Sequence, residues 1–224
     1  MRALILDSGT LINLSMNGLL YVLEDLKKIL GGKFLITRAV KREVIDRPLT
    51  VQRFELGALR IKNLLDEGIL EMSSSLGIPE DKINHLTKEL MDLANHYIQV
   101  KGNWVHLVSE AEISCLALSD ELTKLGIDNL IAIDERTTRV LCENPVGLEK
   151  IMEGKLHQKV SLVVDDMSIF SKYRFIRSSE LVYVAYKKGL TRLKGEKVLE
   201  ALLYATKFSG SSISFEEINV LKKM

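Results

Sequence analysis

Short continuous apolar runs alternate along this chain with longer stretches whose apolar positions recur at helical spacing. Ala3-Leu4-Ile5-Leu6, Phe34-Leu35-Ile36 and Leu130-Ile131-Ala132-Ile133 have the pattern of strands buried on both faces. Between the first two, residues 8–30 predict a helix broken near Asn17-Gly18 and closed by Gly31-Gly32. Thr37 is a natural N-cap for a helix through Ile45, which must stop at Arg47-Pro48 because the residue before a proline is pushed out of the α region. Residues 50–66 predict a further helix, Gly68 ends it, and Ile69-Leu70-Glu71-Met72 reads as a strand. Helices are expected over 79–100, with Pro79 at its first turn, over 109–125, ended by Gly126, and over 135–143.

Strands alternating with helices predict an α/β fold around a mostly parallel sheet. Asn144-Pro145-Val146-Gly147 has the composition of a boundary. It divides the chain into a domain over residues 1–148 and a smaller, mostly helical C-terminal extension over 149–224. In the extension, residues 160–164 read as a strand, and helices start at Ser178, near Glu196 and at Ser214.

Charge changes sign at the same place. Residues 1–149 carry 17 Lys and Arg against 22 Asp and Glu, a net of −5, whereas 150–224 carry 14 against 8, a net of +6; the whole chain is at +1. An acidic part suits cations and a basic part suits phosphates. With 46% apolar residues in 224 the chain can bury a real core. No apolar stretch approaches the ~18–20 residues of a membrane helix and no leader pattern precedes the first strand, so a cytoplasmic protein without membrane contact is expected. Cys115 and Cys142 read as buried hydrophobes. His85, His96, His106 and His157 lack metal-ligand spacing, and Trp104 reads as a loop aromatic anchored to the core.

The candidate chemistry is carboxylate. Asp7 ends the first strand and precedes Ser8-Gly9-Thr10, Asp134 ends a later one and precedes Glu135, and a parallel sheet gathers the carboxyl ends of its strands at one ligand crevice. Glu43 and a glutamate at 110 or 112 stand on helices entering that crevice. Hard oxygen donors without His or Cys point to Mg²⁺ or Mn²⁺, with Ser8, Thr10 and Glu135 in support. Successive helical residues turn by ~100°, so Glu110 and Glu112 cannot both face one cleft. Ser109-x-x-Glu112 is also a capping-box pattern, which leaves Glu110 as the preferred third acid.

Four segments in this order resemble the PIN-domain nucleases: Leu4-Ile5-Leu6-Asp7-Ser8-Gly9-Thr10, Ile36-Thr37-Arg38-Ala39-Val40-Lys41-Arg42-Glu43, Ser109-Glu110-Ala111-Glu112-Ile113-Ser114, and Leu130-Ile131-Ala132-Ile133-Asp134-Glu135-Arg136. The resemblance covers residues 1 to about 148. It implies a three-layer α/β/α fold and metal-dependent endonucleolytic hydrolysis of RNA, mostly single-stranded, with Asp7, Glu43, Glu110 and Asp134 as catalytic metal ligands.

In the basic extension, Lys172-Tyr173-Arg174-Phe175-Ile176-Arg177 interleaves cations and aromatics, and Lys172, Arg174 and Arg177 are the expected phosphate contacts. The amphipathic helices beyond it are expected to pack on the nuclease core or on a second copy. A non-catalytic module that keeps the fold and binds RNA or an antitoxin-like partner is the alternative function. An aspartate-nucleophile phosphatase is disfavoured because position 9 of its D-x-D-x-T opening is glycine here. Neither a P-loop nor a G-x-G-x-x-G follows any strand, so nucleotide-cofactor readings have no support.

Overall fold

The computed structural model describes residues 1–163, 166–195 and 197–224. In chain order it contains β1 (Arg2–Leu6), α1 (Ser8–Met16), α2 (Tyr21–Leu30), β2 (Lys33–Ile36), α3 (Arg38–Lys41), α4 (Gln52–Asp66), β3 (Glu71–Met72), α5 (Glu80–Asn95), β4 (Ile98–Val100), β5 (Asn103–Trp104) and α6 (Glu110–Lys124). There follow β6 (Asp128–Ala132), α7 (Arg136–Glu143), α8 (Gly147–Leu156), β7 (Ser161–Leu162), β8 (Phe175–Ile176), α9 (Ser178–Lys187), α10 (Val198–Phe208) and α11 (Phe215–Lys223). The strand expected to reach Val164 and the helix start near Glu196 end on positions outside the described residues.

Five strands form a parallel sheet in the order β3-β2-β1-β6-β8. β1 is its centre, with Leu4 in register with Phe34 of β2 and Leu130 of β6. Every residue of β1 after Arg2 is buried, which a strand covered on both faces requires. Helices α5 and α6 pack on one another, and α6 lies against β1 and β6. Helices α1, α2 and α10 gather around α9 in a second layer. The expected three-layer α/β/α architecture with added C-terminal helices is what forms.

The core does not stop at residue 148. β8 comes from the extension yet completes the main sheet, and Phe170, Tyr173, Leu181, Val182 and Ala185 belong to the same buried cluster as Ile5 and Ile131. A parallel edge at β6 left Ile131 N–H and Ile133 N–H to be satisfied, and the carbonyls of Arg174 and Ile176 accept them at 2.9 Å.

Two local departures from the pattern have clear causes. The helix expected over 79–100 ends at Asn95, because Tyr97 to Val100 pair in a second, antiparallel sheet, β5-β4-β7. Lys101 and Gly102 both adopt positive φ, 51° and 80°, as a two-residue hairpin turn demands. The helix carrying Glu43 widens after α3, with Arg47 N–H reaching back five residues to the Arg42 carbonyl. Such π-type turns re-aim side chains and recur at functional sites.

Candidate functional site

Asp7 and Asp134 follow the carboxyl ends of the neighbouring strands β1 and β6, and the Asp7 N–H donates to Ala132 O at 3.0 Å. Both carboxylates are only 3% exposed. Gly9 stands between them: a methyl group there would lie 3.3 Å from Asp7 Oδ2 and 3.9 Å from Asp134 Cβ. Any side chain at position 9 would therefore crowd the pair.

Asp7 is the N-cap of α1. Its Oδ2 accepts the Gly9 N–H at 3.1 Å, whereas Oδ1 is buried without a hydrogen-bond partner. Burial, then the charge of Glu112, then that of Glu43 push its pKa from 3.8 up to about 7, against the pull of the Gly9 and Ser8 amides. The buried thiol of Cys115 is held in its neutral form by burial and by the charges of Asp7, Glu112 and Glu43. Cys115 donates weakly to Leu6 O at 4.0 Å, at the end of the strand that leads into Asp7. Asp7, Glu43 and Glu112 thus share one electrostatic neighbourhood.

Glu112 completes its capping box and also faces inward. Its Oε2 accepts from Ser109 N–H at 2.8 Å and from the Thr138 hydroxyl at 3.1 Å, which joins the start of α6 to α7. Burial raises its pKa, the Ser109 amide opposes that rise, and the Glu135 charge adds to it. Glu135 itself caps α7, accepting from Thr138 N–H at 2.7 Å.

The sequence prefers Glu110 as the third acid, whereas the glutamate of this pair whose charge acts on Asp7 is Glu112. Glu110 is ion-paired with Arg42 and lines a cavity of about 550 Å³ between α3, α5 and α6. Capping and facing the cleft are compatible in Glu112, since only one carboxylate edge is needed for the cap.

Asp134 differs from Asp7 in having both oxygens engaged. Oδ1 accepts the Ser178 N–H at 2.9 Å, at the start of α9, and Oδ2 accepts Asn13 Nδ2–H at 3.1 Å. Asn13 also donates to Thr206 O at 2.8 Å, and Asn17 Nδ2–H donates to Asn13 Oδ1 at 3.0 Å. Asp134 therefore fastens the C-terminal helices to the sheet. Asn13 was not singled out from sequence, although Thr10, Asn13 and Asn17 recur on one helix face at i, i+3 and i+7, a polar stripe where α1 is buried.

The three cations expected to meet phosphate are otherwise occupied. Arg177 is buried, and its guanidinium bonds Glu180 at 2.6 Å and Glu217 at 2.8 Å. Lys172 pairs with Asp120 at 2.8 Å, and Arg174 pairs with Asp128 while donating to Asn129 O at 2.8 Å. Arg177 is committed to α9 and α11, whereas Lys172 and Arg174 make their pairs with about half of each side chain still exposed.

The donors suit a hard divalent ion in kind: Asp7 Oδ1, with the unpartnered hydroxyls of Ser8 and Thr10 in the same turn and two further carboxylates near enough to perturb it. Among the described residues, however, no three His, Cys, Asp or Glu side chains stand together as a ready coordination shell. Nor, among the described residues, is any helix long and apolar enough to cross a membrane. No family model matches the chain, and no curated protein or solved structure is significantly similar to it.

Proposed function

We propose that this chain is a divalent-metal-dependent nuclease acting on single-stranded RNA, with Asp7 at its centre. The observation that carries the reading is the buried Asp7 Oδ1, which has no partner while burial, then Glu112 and Glu43, push its carboxyl towards the neutral form. A carboxylate in that position is stabilised by a cation. Asp7, Glu112 and Glu43 would hold Mg²⁺ or Mn²⁺, which when bound supplies charge neutralisation at a phosphodiester and an acidified water.

The remaining residues act on these three. Thr138 and the Ser109 amide hold the Glu112 carboxylate, Gly9 leaves room beside Asp7, and Asp134 positions Asn13 and the start of α9. Asp134 is a positioning residue in this reading, because each of its oxygens already holds a protein donor, Ser178 N–H on one and Asn13 Nδ2–H on the other. That same observation, with the lack of a preformed three-acid shell among the described residues, favours the second reading, a binding module without turnover.

Cleavage separates the two. Wild-type protein is expected to cut a labelled single-stranded RNA with Mn²⁺ and not with EDTA, and Asp7→Asn is expected to be inert while keeping its far-UV circular dichroism. RNA bound and left intact under both conditions would favour the module.

A further inference from the structure

α4 turns the wrong residues outward. Phe54 and Leu56 are exposed on it, Phe54 by 52%, and across a groove α1 presents Ile12 and Met16, the latter exposed by 71%. The groove encloses about 500 Å³, within the range of small-ligand pockets, and Glu43 forms part of its wall. Contiguous exposed apolar surface of this kind marks a binding site more often than chance. Its floor is low: Gly57 carries no side chain, and a Cβ there would reach to 3.5 Å from Ser15 Oγ of α1.

Two cations rim the groove. Arg53 and Arg60 line it, and neither enters an ion pair or hydrogen bond among the described residues. The Arg53 guanidinium lies 5.2 Å from the centre of the Phe54 ring, so cation and aromatic face are presented together. This is the reverse of Lys172, Arg174 and Arg177, whose charges are neutralised by Asp120, Asp128, Glu180 and Glu217.

We propose that the groove between α1 and α4 seats an unstacked base of single-stranded RNA on Phe54, with Arg53 and Arg60 on the flanking phosphates. The choice of RNA as ligand rests on the nuclease reading above. Base, aromatic face and paired cations are what a single-strand site combines, and Glu43 in the wall links this seat to the acidic site. A second copy of the chain fits less well. A two-fold contact through this face would gather four arginines, Arg53 and Arg60 from each copy, around only two groove acids, the two Glu43 side chains.

The test is RNA binding by fluorescence anisotropy, with the full chain in EDTA so that nothing is cut. Phe54→Ala is expected to weaken binding about tenfold and Phe54→Trp to preserve it. An abasic strand should bind wild type and Phe54→Ala alike. Arg53→Gln with Arg60→Gln should flatten the dependence of log affinity on log salt by roughly 0.7 per arginine. Because Phe54 is half exposed, all variants should melt as wild type does.

Affinity unchanged in Phe54→Ala overturns the proposal. So does a wild-type dimer in sedimentation velocity that Phe54→Ala dissociates without altering RNA affinity, which would assign the groove to a second copy. If RNA binds through Phe54 but wild type never cuts it with Mn²⁺, the nuclease reading fails and the groove stands; cleavage with Phe54-independent binding removes the groove alone.

Discussion

Asp7 and Asp134 stand side by side at the ends of adjacent parallel strands, equally buried, yet one has an oxygen with no partner and the other has both oxygens bonded. Neutralising them should therefore have opposite effects on stability. Asp7→Asn relieves repulsion with Glu112 and Glu43 and should stabilise the metal-free protein at neutral pH. Asp134→Asn must turn an amide N–H towards either Ser178 N–H or Asn13 Nδ2–H, and should cost about 1–3 kcal/mol. Chemical denaturation of both variants in EDTA checks the signs.

The raised Asp7 pKa sets a pH dependence. Between the unfolded value of 3.8 and the folded value of about 7, the native state holds a proton that the unfolded chain has lost. Stability of the metal-free protein should then be fullest below about pH 4 as far as this group is concerned, and should fall as pH rises to about 7, by an amount on the order of 4 kcal/mol at most. Asp7→Asn should remove that slope. Mn²⁺ competes with the proton, so its stabilisation of wild type should grow from pH 5 to pH 7.5 in thermal melts. A stabilisation by Mn²⁺ that is equal at both pH values would speak against binding at Asp7.

Glu112 and Glu110 should separate cleanly. Glu112→Gln removes the charge that Asp7 feels and should abolish cleavage, with about 1 kcal/mol lost from the cap at most. Glu110→Gln breaks only an exposed pair with Arg42 and should cost under about 1 kcal/mol, with cleavage kept. Rate measurements at saturating Mn²⁺ decide; loss of activity in Glu110→Gln alone would restore the reading made from sequence.

Arg177→Met should behave as a stability mutant. It strips Glu180 and Glu217 of their shared partner, the group that holds the Glu217 pKa down at about 2 and ties α9 to α11. Because Glu217 is half exposed, solvent screens what is lost, and the cost should be on the order of 2 kcal/mol. Glu217 has its folded pKa below the unfolded 4.5, so its contribution is present above pH 4.5 and fades as pH falls towards 2. RNA affinity and its salt slope should be unchanged; a flatter slope would return Arg177 to the nucleic-acid surface.

The sheet was legible because parallel strands covered on both faces are written as unbroken apolar runs, as in Ala3 to Leu6 and Leu130 to Ile133, and because Thr37, Ser109 and Gly31 mark helix ends by local chemistry. The positions of Asp7, Glu43 and Asp134 followed from that. What was not legible depends on distant partners. Neither the Ser178 amide nor Asn13 announces in sequence that it will occupy Asp134. Nor does the basic stretch at 172–177 announce its ion pairs with Asp120, Asp128 and Glu217, which come from three other elements. β8 is two residues long, too short for a periodicity to declare, and exists because β6 offers it an edge.

Anomalous diffraction from crystals soaked in Mn²⁺ tests the metal centre most directly. The account predicts a peak at coordinating distance from Asp7 Oδ1, about 2.1 Å as for a small hard cation, with a Glu112 oxygen also in contact, and its disappearance in Asp7→Asn. Saturating Mn²⁺ that gives no peak at Asp7, or one that survives Asp7→Asn, would contradict it.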